Sequence, residues 1–179
     1  MILLFLPFLL GLADASSKNV PLRSPADYKA NWTDLTEALN TGVKFWTKKR
    51  NYSFEGVDCN SWERIDLSQT VYNFFDRYRV RRTGWTQYTM TAALSNTTGG
   101  PQMKVRLPFQ KEHQATPYLL RFWSHKEKCG IFTISNYRCE QRIWNTHTGS
   151  SSDDCDAAYD TLCGTTGIPV YKRSCVDPN

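Results

Sequence analysis

The sequence predicts an all-β domain of antiparallel strands with a short helix at each end. Between Val43 and His147, β-rich segments alternate with polar or Gly/Pro turns, the pattern of an all-β meander. The clearest of these segments place apolar residues at every second position, which marks a sheet with one apolar face. The flanking stretches carry helix caps instead of alternation.

The chain opens on an apolar run from Ile2 to Leu12 that ends at Ala13-Asp14-Ala15, an A-x-A cleavage signal. Residues 1–15 are therefore expected to be a signal peptide, with Ser16 the first residue of a single domain over 16–179. The run is too short to span a bilayer, which takes about 20 apolar residues. Ser24-Pro25-Ala26-Asp27 then reads as a helix start, with Ser at the N-cap, Pro at the first position and Asp in a capping box. That helix is predicted to run to about Asn40, before Gly42.

Strands are predicted near 43–54, 57–66, 70–81, 85–95, 102–107, 116–125, 129–135 and 137–146, eight in all. In Val71 to Val80, Tyr72, Phe74, Asp76, Tyr78 and Val80 share one face, against Asn73, Arg77 and Arg79. Asp76 is the anomaly on the apolar side. Tyr88, Met90, Ala92 and Leu94 repeat the scheme, as do Met103, Val105 and Leu107. After a turn-rich stretch, 154–163 reads as a short helix with Gly164 as its C-cap. A last short strand over 168–171 leads to Cys175.

Six cysteines entering an oxidising compartment favour three disulfides over zinc or free thiols. The sequence alone leaves their connectivity open. Sequons at Asn31, Asn51 and Asn96 place those positions at the surface of a glycoprotein. The 22 basic residues against 17 acidic are mostly scattered. That balance disfavours nucleic acid as a partner, and no membrane partner is expected. His113, His125 and His147 lack metal-ligand spacing, and no nucleophile elbow, zinc, Walker or dinucleotide motif is present, so an enzyme is not expected. No cofactor or metal is expected either.

In this setting the chain resembles the tick salivary lipocalins, the family that includes the histamine-binding proteins. The resemblance covers 24–175 and rests on an ordered set of features. These are the N-terminal helix, the first strand Lys44-Phe45-Trp46-Thr47-Lys48-Lys49-Arg50, a Cys in the second strand, and the tail. The tail reads Cys155-Asp156-Ala157-Ala158-Tyr159-Asp160-Thr161-Leu162-Cys163 and then Val170-Tyr171-Lys172-Arg173-Ser174-Cys175. It implies an eight-stranded antiparallel lipocalin barrel, with an N-terminal helix and a C-terminal helix packed outside.

It also implies the bridges Cys59–Cys175 and Cys129–Cys155, leaving Cys139–Cys163. Cysteines bonded outward turn their neighbours inward. Arg138, Glu140, Arg142 and Trp144 then face the lumen, as do Asp58, Asn60, Trp62 and Arg64, and Gly130, Phe132 and Ile134.

Charges in a lumen need partners or a ligand. One reading pairs Arg142 with Glu140 or Asp76 near a wet mouth. The other has these groups hold the polar end of a ligand whose apolar body lies on Trp62, Phe74, Tyr78, Phe132 and Trp144. Amine-binding members of the family carry an acid after the Cys that corresponds to Cys129 and another before the aliphatic-Trp pair. Here those positions are Gly130 and Arg142. The resemblance therefore implies a secreted, monomeric salivary protein that sequesters a small host mediator to suppress host defence, a lipid or sterol in preference to an amine, with Arg142 near an anionic or hydrogen-bonding end. Binding of a biogenic amine such as histamine or serotonin, or of a host defence protein as an immune or complement inhibitor, are the alternatives.

Overall fold

A computed structural model describes residues 24–176 apart from Asn136. The expected signal peptide lies outside the described residues.

Eight strands form a closed antiparallel barrel: β1 (Phe45–Arg50), β2 (Val57–Leu67), β3 (Val71–Val80), β4 (Gly84–Thr97), β5 (Gly100–Arg106), β6 (Thr116–Ser124), β7 (Cys129–Ile134) and β8 (Arg138–Trp144). Each pairs with its sequence neighbour, and β8 returns to β1. The apolar residues that alternate along β3, β4 and β5 pack inward. Tyr72, Phe74, Ala92, Leu94, Met103 and Val105 all belong to one buried cluster.

Closure is incomplete along one seam. β1 meets β2 only at Phe45↔Trp62 and Trp46↔Ser61. Beyond that point the C-terminal tail fills the gap through β9 (Ile168–Pro169), which pairs with Lys49 and Arg50. Val170 bridges the two strands, donating to the Lys48 carbonyl at 2.9 Å and accepting from Cys59 N–H at 3.0 Å. Cys59 adopts φ 55° at a register shift between Asp58 and Ser61. The Cys59–Cys175 disulfide fastens the tail there.

The N-terminal helix starts later than the capping signal at Ser24 predicts. Ser24 and Asp27 close only a single 3-10 turn, Pro25–Asp27, with Ser24 N–H donating to Asp27 Oδ2 at 2.6 Å. The chain then extends, because Ala30 N–H donates to the Arg121 carbonyl at 3.1 Å and Tyr28 is buried edge-on against Phe122. Helix α1 (Trp32–Leu39) begins at a second capping box. Asn31 Oδ1 accepts from Asp34 N–H at 3.1 Å, and Asp34 Oδ2 accepts from Asn31 N–H at 2.7 Å. Docking to β6 thus overrides local helix propensity over 28–30. Leu35, Ala38 and Leu39, all fully buried, plug one end of the barrel against Phe45, Trp62 and Trp123.

Helix α2 (Asp153–Cys163) lies outside the barrel, with Ala158 and Tyr159 packed on Ile131 and Cys139. Glu127 caps it, accepting from Asp154 N–H and Cys155 N–H at 3.0 Å each. Cys129–Cys155 and Cys139–Cys163 fix it to β7 and β8, so all three bridges join the pairs that the resemblance implied. Glu127, Cys129 and Cys155 lie close enough to resemble a metal-ligand set, but the sulfurs form the disulfide and the carboxylate caps the helix. Among the described residues no helix is long and apolar enough to cross a membrane.

Candidate ligand-binding site

With α1 closing one end, the other end opens among the β1–β2, β3–β4, β5–β6 and β7–β8 loops. A cavity of about 340 Å³ sits there, at the lower end of the range for small-molecule sites. Its walls are largely aromatic and apolar: Tyr52, Trp62, Tyr78, Tyr88, Met90, Leu107 and Tyr118. Asn60, Asp76, Glu140 and three arginines, Arg50, Arg138 and Arg142, add polar atoms.

The arginines reach the lumen by different routes. Arg138, Glu140 and Arg142 share the inward face of β8, as the outward Cys139 requires. Arg50 does not follow from alternation. Phe45 and Thr47 point inward on β1, and strict period two would send Lys49 in and Arg50 out. A register shift between Thr47 and Lys49 against β8 reverses the order. Lys49 instead meets Asp156 of α2 at 3.2 Å, and Arg50 turns to the cavity. Bulges commonly re-aim side chains in this way. The shift at Cys59 has a parallel effect on Asp58, expected inward but paired with Arg79 at 2.9 Å and Lys172 at 2.8 Å beside the tail. Arg64, also expected in the lumen, is exposed at the plugged end and donates to Asn40.

A continuous network crosses the cavity floor. Tyr52 Oη donates to Glu140 Oε1. Glu140 Oε2 accepts from Arg142 Nε at 2.8 Å and Nη2 at 2.7 Å, with both residues buried. Arg142 also donates to Asn60 Oδ1 at 2.9 Å and to the Phe45 carbonyl at 3.3 Å. Its guanidinium stacks 3.2 Å from the centre of the Trp62 ring. Asn60 Nδ2 donates to Asp76 Oδ1 at 2.6 Å. Of the two accounts open for these charges, the internal network is the one in which Arg142 takes part.

Burial pushes the Asp76 carboxyl above the usual carboxylate range, a shift that Arg142 and the Asn60 hydrogen bond only partly offset. Burial likewise pushes the Tyr52 and Tyr118 phenols far up. Both hydroxyls stay protonated; the Tyr52 proton is directed at Glu140, while the Tyr118 hydroxyl can donate a hydrogen bond into the cavity.

Trp62, Asp76, Tyr78, Glu140 and Arg142 are brought together at the cavity. Phe74 and Phe132 are fully buried beneath it, packed on Trp62 at ring-centre distances of 5.2 and 5.8 Å. Trp144 lies at the opposite end, where it packs at a tilt against Trp123 and donates to the Ala38 carbonyl at 3.0 Å. Alternation cannot tell the mouth of a barrel from its plugged end. Tyr52, Leu107 and Tyr118 all fall in predicted strands, Leu107 on the apolar face with Met103 and Val105, but alternation alone does not show that these positions reach the mouth. A Cβ at Gly130 would lie 2.9 Å from the Phe122 carbonyl and 3.0 Å from the Trp123 ring, so the position where amine binders carry an acid has no room here for a side chain.

No protein-family model matches this sequence, and comparison with curated proteins finds no match. Among solved structures, the chain is similar to Japanin from Rhipicephalus appendiculatus bound to cholesterol, with a TM-score of 0.55 and 9% identity over 74% of this chain and 95% of that one. That protein is a tick salivary lipocalin. At this identity the likeness is one of architecture, and its conclusion is that this chain has the fold of a lipocalin, a closed eight-stranded antiparallel barrel with two helices.

Proposed function

We propose that this protein is a secreted, non-enzymatic binding protein that captures a small, mainly apolar host mediator, a lipid or sterol, in the open mouth of its barrel, and so dampens host defence at a feeding site. The observation that carries this reading is the aromatic cavity above a charge network already closed on itself. An amine needs a carboxylate to spare. Glu140 is taken by Arg142 and Tyr52, position 130 has no room for an acid, and burial favours the neutral form of Asp76. The cholesterol in the similar tick protein adds support for an apolar guest. Three disulfides fit an oxidising, extracellular compartment, and the exposed Asn31 and Asn96 suit glycans. A barrel whose one open seam is filled by the tail leaves little free strand edge, which suits a monomer.

Mass spectrometry of small molecules extracted from protein made in animal cells tests the proposal, together with calorimetric titration of cholesterol, a fatty acid, histamine and serotonin. A sterol or lipid guest and weak amine binding are expected. Submicromolar histamine binding would overturn it. A reading in which the barrel is only a scaffold for binding a host protein draws on Phe109 and Tyr137, 83% and 97% exposed at the rim. An empty barrel that binds none of these probes would favour that reading.

A further inference from the structure

Among the described residues, Arg50 is a buried cation that forms no ion pair. It is 5% exposed, and its Nη2 donates only to the Phe54 and Val57 carbonyls at 3.3 and 3.1 Å. Its Nε is buried with no hydrogen-bond partner. Directly across the ladder from it stands Glu140, whose two oxygens are occupied by Tyr52 and Arg142. Among the described residues neither Arg50 nor Arg138 forms an ion pair.

Desolvating a guanidinium without a partner is costly, and bulk water is largely kept from this one. Arg138 lies beside it, exposed at the mouth. The two guanidinium carbons are 5.2 and 5.3 Å from the centre of the same Tyr52 ring, and both arginines line the cavity beside it. Counting charge, three arginines line a wall that offers two carboxyls, one already paired and the other pushed toward its neutral form. The cavity as built is cationic.

We infer that Arg50 and Arg138 form an anion clamp around Tyr52, and that the guest is an amphiphile whose carboxylate or sulfate head is held there while its apolar body lies on Trp62, Met90 and Tyr118. This inference rests on the lumen reading proposed above, and it moves the polar contact from Arg142, whose donors serve the floor network, to two arginines with donors to spare. Guanidinium groups suit such heads because their paired N–H groups match two oxygens at once.

The test uses the intact protein and two matched pairs of probes, oleate against oleyl alcohol and cholesterol sulfate against cholesterol, with affinities from tryptophan quenching and calorimetry. The anionic member of at least one pair should bind about tenfold tighter or more, the scale of a hydrogen bond to a charged group. The favoured pair identifies both head and body. Arg50→Gln and Arg138→Gln should each erase most of that preference while leaving the neutral partner's affinity within about twofold. Arg81→Gln, on the β3–β4 turn outside this cavity, should change neither. Arg138 is exposed, so its variant carries the test even if the Arg50 variant fails to fold. Equal binding of acid and alcohol in both pairs, or a preference that survives Arg138→Gln, overturns the clamp and leaves the lumen reading intact. Failure of all four probes to bind overturns both.

Discussion

Glu140 and Arg142 show what a closed ion pair does inside a barrel. Each is almost wholly removed from water, and two guanidinium nitrogens on one carboxylate oxygen offset much of the desolvation penalty of both. Removing one partner strands the other, so Glu140→Gln should cost about 3–5 kcal/mol of unfolding free energy in urea melts. Combining Glu140→Leu with Arg142→Met should recover a large part of the loss. Asp76 should respond to pH in the opposite sense from most acids. Its folded pKa lies above the unfolded value because burial disfavours the charge, so the folded state holds its proton longer. Stability from this group is present below the ordinary carboxyl pKa and is lost as pH rises through the folded value. Asp76→Asn should flatten that decline and raise stability at neutral pH, measured by melts across the pH range.

At the scale of the elements, α2 is held less by its own propensity than by what its termini meet. Glu127 satisfies two of the free N–H groups at its start, and Glu127→Ala should cost about 1–2 kcal/mol, the upper range for a lost cap. Asp156 ties the helix to β1 through Lys48 and Lys49. Burial would raise its pKa, but hydrogen bonds from Gln141 and Lys48 outweigh that and hold the carboxyl below its usual value. This tie therefore stabilises above the ordinary carboxyl pKa and weakens as pH falls through the lowered one. Asp156→Asn should reduce the acid sensitivity of hydrogen exchange in α2.

The elements also show where sequence reasoning holds. β3, β4 and β5 are legible because their inward residues recur every second position with nothing to interrupt them. The start of α1 is not, because Ser24–Asp27 and Asn31–Asp34 carry equivalent capping signatures. Only the docking of Tyr28 and Ala30 on β6, about ninety residues away in sequence, decides between them. Arg50 and Asp58 fail for a related reason. Each lies beside a register shift, and one displaced residue reverses the face of its neighbours along the strand.

For the molecule as a whole, the seam between β1 and β2 is the point on which barrel closure and cavity both depend. The tail occupies it through Val170 and is fastened by a bridge spanning 116 residues, against 26 and 24 for the other two. In the chain-entropy account the longest loop constrains the unfolded state most, at about 5 kcal/mol against about 3.5 for each short one. The consequences should differ in kind as well as size. Replacing Cys139 and Cys163 by Ala should lower stability but leave the mouth intact, because that bridge ties α2 to the outside of the wall. Replacing Cys59 and Cys175 should also free the tail, exposing the outer half of β1, where it pairs with Lys49 and Arg50. Hydrogen exchange should then rise at the backbone amides of position 59 and Val170, which bond across the seam, at denaturant concentrations too low for global unfolding. Affinity for the best of the four probes should fall along with it. If exchange at the seam matched that of the unaltered protein while stability fell, the bridge would be acting on the unfolded chain alone and the tail would hold its place by packing.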